Sequence, residues 1–163
     1  MQAVILAAGR GERLGRLTRW RPKCLVEVGG RSLLQHQVRA LRDLGIDRIA
    51  VVVGHLGELV RAAMASECEF IDNRRYAETN SLYSLWLARN WLDGPFLLLN
   101  GDVLAHTEVY GRVVRTPGTV LAFDSRSGTT RGSGPRTIRG SSRASIFSTR
   151  SGPKTTSVRS GSG

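Results

Sequence analysis

Three short runs, Ala3 to Ala7, Ile49 to Val53 and Phe96 to Leu99, are apolar throughout, and stretches of helical periodicity separate them. Runs of this length fit strands buried on both faces, as in a parallel sheet covered by helices. Between the first two, Leu33, Leu34, Val38, Leu41 and Leu44 fall on one helical stripe; Ser32 is placed to cap its start and Gly45 to end it. Leu56 to Ala65 reads as a second helix and Glu69 to Ile71 as a weaker strand. Asn80 to Trp91 reads as a third helix with Leu82, Leu85 and Trp86 inward, and Thr119 to Phe123 as a fifth strand. The alternation predicts an α/β fold: three layers, a mostly parallel sheet flanked by helices, right-handed crossovers, and a ligand crevice at the carboxyl ends of the strands.

The first run leads into Gly9-Arg10-Gly11-Glu12-Arg13-Leu14-Gly15, and Asn100-Gly101-Asp102 follows the third, so both segments fall at that crevice edge. Glycines let a backbone approach phosphate closely, and Arg13 and Lys23 supply positive charge. The spacing G-x-G-x-x-x-G is one residue too long for the dinucleotide fingerprint, and no acidic residue closes Ile49 to Val53 to hold a ribose. The G-K-[ST] of the ATPase loop is also missing. A tight strand-to-helix turn is the competing structural reading of the glycines. Likewise Arg13 and Lys23 can be solvated loop cations, and Asp102 can simply shape a turn.

Charge divides the chain unevenly. Residues 1–124 hold 16 Lys+Arg against 13 Asp+Glu, a net of +3, whereas residues 125–163 hold 8 cations and no carboxylate. Only Cys24 and Cys68 are present, which gives no disulfide framework and fits structural thiols in a reducing cytoplasm. No apolar run approaches the roughly 20 residues that span a bilayer. His36, His55 and His106 lack metal-ligand spacing, although His55 lies at a strand end beside the crevice.

Three segments together carry a family resemblance: Leu6-Ala-Ala-Gly-Arg-Gly-Glu-Arg-Leu14, Arg21-Pro-Lys23-x-Leu25, and Val28-Gly-Gly-Arg-Ser-Leu33. They resemble the signature of nucleotidyltransferases that act on sugar phosphates and phosphocholine. The segment Asn73-x-x-Tyr76-Ala-Glu-Thr-Asn80-Ser-Leu-Tyr83-Ser-Leu85 is similar to that of the phosphocholine cytidylyltransferase branch, which has a second Asn where Ser81 stands. Asn100-Gly101-Asp102 resembles the family's metal-binding turn. The similarity spans residues 2 to about 124 in order.

The resemblance implies a Rossmann-like nucleotidyltransferase fold that is incomplete at its C-terminal end. The implied reaction is transfer of a nucleoside monophosphate from a triphosphate, CTP in the favoured branch, to a phosphocholine-like acceptor, with Mg²⁺ assisting and pyrophosphate leaving. Sugar-1-phosphate transfer is the nearer rival. Leu6, Ala8 and Gly9 would face base and ribose through backbone groups, Gly11 and Arg13 would hold the outer phosphates, and Lys23 would sit near the α-phosphate. Asp102 would ligate magnesium. Asn80 stands open between an acceptor contact and a helix cap, and Tyr83 and Trp86 between a core stripe and a choline cage. Two readings from other classes stand beside these: a non-catalytic nucleotide-binding module and a basic nucleic-acid binder.

Beyond Asp124, 34 of 39 residues are Ser, Arg, Gly, Thr, Pro or Lys, too little apolar content to offset ordering entropy, so disorder is expected over 125–163. Eight cations there would bind nucleic-acid phosphates non-specifically. The composition is also that of a GC-rich gene read out of frame. With permitted codons, 147–163 can be read two bases on as Leu-Asp-Pro-Val-Arg-Ala-Glu-Asp-Asp and onward, similar to a family continuation. The sequence therefore carries the expectation of a frameshifted or truncated chain whose native part ends near 123–128.

Overall fold

A computed structural model describes residues 1–11, 18, 20–122 and 146–150, with the backbone alone at 121 and 146–150. The main sheet has the strand order β5-β4-β1-β6-β8-β7, formed by β1 (Gln2–Ala7), β4 (Ile49–Val53), β5 (Glu69–Asp72), β6 (Phe96–Asn100), β7 (Gly118–Ala122) and β8 (Ile146–Arg150). β5, β4, β1 and β6 run parallel, with Ile5 of β1 paired to Val51 on one side and Leu99 on the other. β8 is antiparallel to both β6 and β7. The expected mostly parallel sheet and its layers are therefore present.

Alternate residues of each strand feed the two faces. Ala3 and Ile5, Ile49, Val51 and Val53, and Leu97 and Leu99 form one core with Leu34, Val38 and Leu41 of α1 (Leu33–Asp43), Val60 and Met64 of α2 (Gly57–Met64), and Tyr110 and Val113 of α4 (Thr107–Arg115). Val4, Ala8 and Val52 pack on the other face with Ala88, which follows α3 (Ser81–Leu87). The chain steps from β1 to β4 to β5 in one direction, then returns past β1 to β6. Reversing direction at a constant crossover hand moves the connecting helix to the opposite face, as α3 does.

Local chemistry fixes these elements. Ser32 Oγ accepts from Gln35 N while the Gln35 side chain accepts from Ser32 N, a complete capping box at α1. Gly45, at φ +74°, ends that helix as expected, its N–H donating to Arg42 O at 2.8 Å. A small hairpin, β2 (Glu27–Val28) and β3 (Arg31–Ser32), turns on Gly29 and Gly30, both at positive φ. Two such residues make a tight turn of the kind that joins antiparallel strands.

Several elements differ from the sequence expectation. α3 ends at Leu87 and passes into a single 3-10 turn over Ala88–Asn90, instead of running to Trp91. Its inward side is Ser84, continued by Ala88 just after it, while of the expected inward stripe Leu85 is partly buried and Leu82 and Trp86 are 72% and 50% exposed. Small residues let this short helix lie close to β1, and Ser84 Oγ accepts a buried bond from Asn73. α4 is not among the expected elements: a glycine and three valines lower its helix propensity, yet Val109, Tyr110, Val113 and Val114 fall at helical spacing, and the His106 cap and buried Tyr110 and Val113 hold it. In the segment expected to lack structure, Ile146–Arg150 form β8. A strand slotted between two others gains main-chain bonds on both edges, which composition alone does not weigh. The remainder of that expectation, 125–145 and 151–163, lies outside the described residues.

Candidate active site

The order β5-β4-β1-β6 puts a topological switch point between β1 and β6, because the chain leaves these two neighbours toward opposite edges. Their carboxyl ends open a crevice where a ligand can meet backbone from both sides. Gly101 N donates to Leu6 O at 2.8 Å, and a Cβ at Gly101 would lie 3.0 Å from that oxygen and 3.1 Å from Ala7 Cβ. On the other side His55 N donates to Ala8 O at 3.0 Å. The carbonyls of Leu6 and Ala8 thus tie the loops after β6 and β4 to the β1 loop.

Gly11 is held at φ +67° with its carbonyl accepting from Thr18 Oγ1 at 3.0 Å. A Cβ there would stand 3.2 Å from Lys23 Cβ and 3.3 Å from Thr18 Cγ2, so the glycine loop rests directly on the Lys23 stem. Lys23 opens a 3-10 turn after Pro22, closed by Leu25 N to Pro22 O at 2.9 Å. The next residue, Cys24, is buried and anchors the turn in the core. Burial pushes its thiol up to about 12, so it stays protonated and inert.

From this turn Lys23 Nζ reaches across 79 positions of sequence and pairs with Asp102 Oδ2. The two side chains are 26% and 31% exposed, open to the crevice yet held by their surroundings. Behind Asp102, buried Gln37 of α1 donates from Nε2 to Asn100 O at 2.8 Å and Val103 O at 2.7 Å. A second buried amide organises the loop after β5. Asn73 Nδ2 donates to Thr79 Oγ1 and Ser84 Oγ, and its Oδ1 accepts from Arg75 N. That loop carries Tyr76, whose ring has the Arg10 guanidinium 5.7 Å and the His55 ring 5.8 Å from its centroid.

A glycine cradle, a lysine and a carboxylate therefore converge at the switch point, and residues 3–128 match the MobA-like NTP transferase domain. The chain belongs to this family. It is 39% identical over 131 residues to CMP-5'-(3-aminopropyl)phosphonate synthase of Streptomyces rubellomurinus, covering 77% of this chain and 21% of that protein. It is 35% identical over 99 residues to choline-phosphate cytidylyltransferase of Streptococcus pneumoniae, covering 60% and 43%. The solved CTP:phosphocholine cytidylyltransferase of Streptococcus pneumoniae superposes with a TM-score of 0.68 at 28% identity, over 93% of this chain and 71% of that one. The inositol-1-phosphate CTP transferase of T. maritima shares the fold at a TM-score of 0.68 and 22% identity, over 91% and 70%. This NTP transferase chain spans less than half the length of the curated relatives named here.

Within the NTP transferase frame, Leu6, Ala8, Gly9, Gly11, Lys23 and Asp102 all sit at or beside one crevice edge, while Arg13 lies outside the described residues. Among the described residues no three His, Cys, Asp or Glu side chains group as a metal cage. A single carboxylate at the crevice mouth, paired with Lys23 until a phosphate draws the lysine away, would suit magnesium, an ion that retains waters and is carried by substrate phosphates. Asn80 caps α3, its Oδ1 accepting from Leu82 N at 3.0 Å and Tyr83 N at 3.2 Å, so the cap role is realised. Tyr83 and Trp86 form neither core nor cage: they stack at 5.5 Å, with Arg89 3.6 Å over Trp86 and Arg75 5.8 Å from Tyr83. Guanidinium groups already engage these rings, and their charge repels a quaternary ammonium.

Sequence reasoning missed Gln37 as a site residue. Its signal was available: a glutamine on the apolar stripe of α1, between Leu34 and Leu41, must find buried partners. Thr18 left no such signal, because only the loop's return onto Gly11 gives it a role.

Proposed function

We propose that this chain is the nucleotide-binding part of a cytidylyltransferase that joins CMP to a phosphate- or phosphonate-bearing acceptor and releases pyrophosphate. The observation that carries this reading is the Lys23–Asp102 pair beside Gly11 at the switch point of an NTP transferase fold. The cytidylyl names of the relatives support CTP as the nucleotide. The acceptor oxygen is already anionic and attacks the α-phosphorus; a new P–O bond forms, the bond to the β-phosphate oxygen breaks, and its electron pair leaves on pyrophosphate.

The chain's contribution is positioning and charge. Gly9 and Gly11 bring backbone close to the triphosphate, Lys23 turns from Asp102 to the α-phosphoryl group, and Arg13 takes the outer phosphates. Magnesium, when bound, offsets charge on the phosphate oxygens, and Asp102 is the side chain that would hold it. Asn80 fixes the start of α3 near the acceptor side through its cap. Two thiols without a disulfide fit a cytoplasmic setting.

The test is pyrophosphate release by the purified chain with each of four nucleoside triphosphates against phosphocholine, 3-aminopropylphosphonate and glucose 1-phosphate. Release with CTP and a phosphate or phosphonate acceptor supports the proposal. Release with UTP and glucose 1-phosphate alone would favour the sugar-phosphate reading, for which a 34% identical UTP–glucose-1-phosphate uridylyltransferase of Haloferax volcanii speaks.

A further inference from the structure

Asp102 is braced from behind as well as paired in front. Gln37 lies in the middle of α1, fully buried, between Leu34, Val38 and Leu41, which are themselves fully buried. Both hydrogens of its amide are spent on one short loop, on Asn100 O at 2.8 Å and Val103 O at 2.7 Å. These carbonyls flank Gly101-Asp102, and the loop's own closure is only a 3.2 Å bond from Val103 N to Asn100 O. Across the crevice, Gly101 is pinned by Leu6 O. The turn bearing Asp102 is thus suspended between the β1 strand and α1.

The rest of the Gln37 side chain makes no stabilising use of its polarity. Its Oε1 is buried and finds no donor among the described residues. A buried carbonyl without a partner weakens a fold, and an apolar residue would fill this stripe position without that loss. What the glutamine uniquely supplies is a fork of two donors matched to two carbonyls three residues apart. A methionine fills the space and donates nothing; a glutamate keeps the length but, when ionised, turns oxygen toward both carbonyls.

We propose that Gln37 is a positioning residue for the nucleotide-bound metal: by holding Asn100 O and Val103 O it fixes the loop that keeps the Asp102 carboxylate at the crevice mouth, where it would meet a triphosphate-borne cation. The inference rests on the cytidylyl-transfer reading. It assigns Gln37 no contact with substrate, and it separates two components of nucleotide binding. Contacts through Gly9 and Gly11 do not pass through this loop, whereas those through the metal do; Lys23 meets the loop only through its pair with Asp102, which it leaves when it turns to phosphate.

The experiment is calorimetric titration of CTP into the full chain, in EDTA and in saturating Mg²⁺, for wild type and Gln37→Met. Amide hydrogen exchange of Gly101 and Val103 is measured without nucleotide. The expected result is at least a fivefold smaller magnesium enhancement of CTP affinity in Gln37→Met, with affinity in EDTA within twofold of wild type. Exchange at Gly101 and Val103 should be at least tenfold faster, with amides of β4 unchanged. If Gln37→Met does not fold, Gln37→Leu, which is apolar like its neighbours Leu34 and Leu41 and likewise donates nothing, takes its place in both measurements. An unchanged enhancement, or a parallel loss of affinity in EDTA, overturns the inference while leaving cytidylyl transfer intact. Failure of the wild-type chain to bind CTP at all overturns both, and is recognised before any substitution is made.

Discussion

Lys23 and Asp102, 79 residues apart in sequence, pair across the mouth of the β1–β6 crevice. The carboxylate is therefore engaged before a metal arrives, and the lysine before a phosphate does. Their separation is expected to be a cost charged to nucleotide binding, with opposite consequences for the two substitutions. In Asp102→Asn, Lys23 is released: CTP affinity in EDTA should hold or rise a few-fold, while the gain from Mg²⁺ disappears. In Lys23→Met, Asp102 is released: free Mn²⁺ should bind the chain more tightly, as read by electron paramagnetic resonance, while CTP affinity falls by about tenfold or more, the loss of a charge-assisted contact of roughly 1.5–3 kcal/mol. A fall in Mn²⁺ binding in Lys23→Met would contradict this account.

Gly11 tests the cradle itself. At φ +67° an alanine is strained by about 1 kcal/mol, and its Cβ would press on Lys23 Cβ at 3.2 Å and Thr18 Cγ2 at 3.3 Å. Gly11→Ala should therefore cost about 1–2 kcal/mol in chemical denaturation and weaken CTP binding, because relief comes from moving Lys23. Gly9 has open space around an added Cβ, so Gly9→Ala should leave stability within about 0.5 kcal/mol of wild type. Equal stability losses at the two positions would count against the contact with Lys23.

The parts of this architecture that were legible in the sequence share one property: a local signal and a tertiary role coincide. Ile49–Val53 is buried on both faces because it is apolar at every position, and Ser32, Gln35 and Gly45 mark the ends of α1 by capping chemistry that needs no partner outside the helix. The crevice was legible for the same reason, since Gly11 and Asp102 each follow a recognisable strand. What was illegible depends on returns of the chain. Ser84 of α3 and Ala88 just after it face inward because β1 comes close, so the larger Leu82 and Trp86 are displaced outward, against their hydrophobicity. β8 is a strand because β6 and β7 leave a slot. The pairing of Lys23 with Asp102 is likewise a product of strand order, which periodicity does not encode.

Asn73 is expected to be the most sensitive polar residue on the β5 side of the crevice. It is 1% exposed, and its side chain holds Thr79, Ser84 and the Arg75 amide at 3.0–3.1 Å. Asn73→Ala removes these bonds and leaves the buried Ser84 hydroxyl without its donor, for a loss of about 2–4 kcal/mol by urea denaturation. Asn80→Ala removes only the α3 cap and should cost about 1 kcal/mol. If Asn80→Ala instead leaves stability unchanged and raises the KM for the acceptor, its role is in binding rather than capping.

The thiols give a pH signature. Burial raises Cys24 from 9.0 to about 12, and burial first, then the Glu67 charge, raises Cys68 to about 11. In the unfolded chain both ionise near 9.0, so above that pH the folded state holds more protons and stability must fall as pH rises. The Cys24 contribution is fully present below pH 9 and is lost progressively toward 12. Urea midpoints should therefore drop between pH 9 and pH 11, and the drop should be smaller in Cys24→Ala. At pH 8 iodoacetamide should modify the half-buried Cys68 before Cys24 in the native state.

β8 yields a prediction about the sheet. Its Ser148 aligns with Leu97 of β6 on one side and Val120 of β7 on the other, so the strand is interior rather than an edge. Proline at an interior strand position removes a ladder bond and is tolerated essentially only at edges. Ser148→Pro should destabilise the fold by about 3 kcal/mol, whereas Ser148→Thr, a better strand former with the backbone donor retained, should be neutral or slightly stabilising. Because β8 is the strand to which β7 is paired among the described residues, the same proline should also speed amide exchange along Gly118–Ala122 while leaving β4 and β5 unchanged. A neutral proline variant would mean that these five residues do not bridge β6 and β7 in solution, and the sheet would then end at β6.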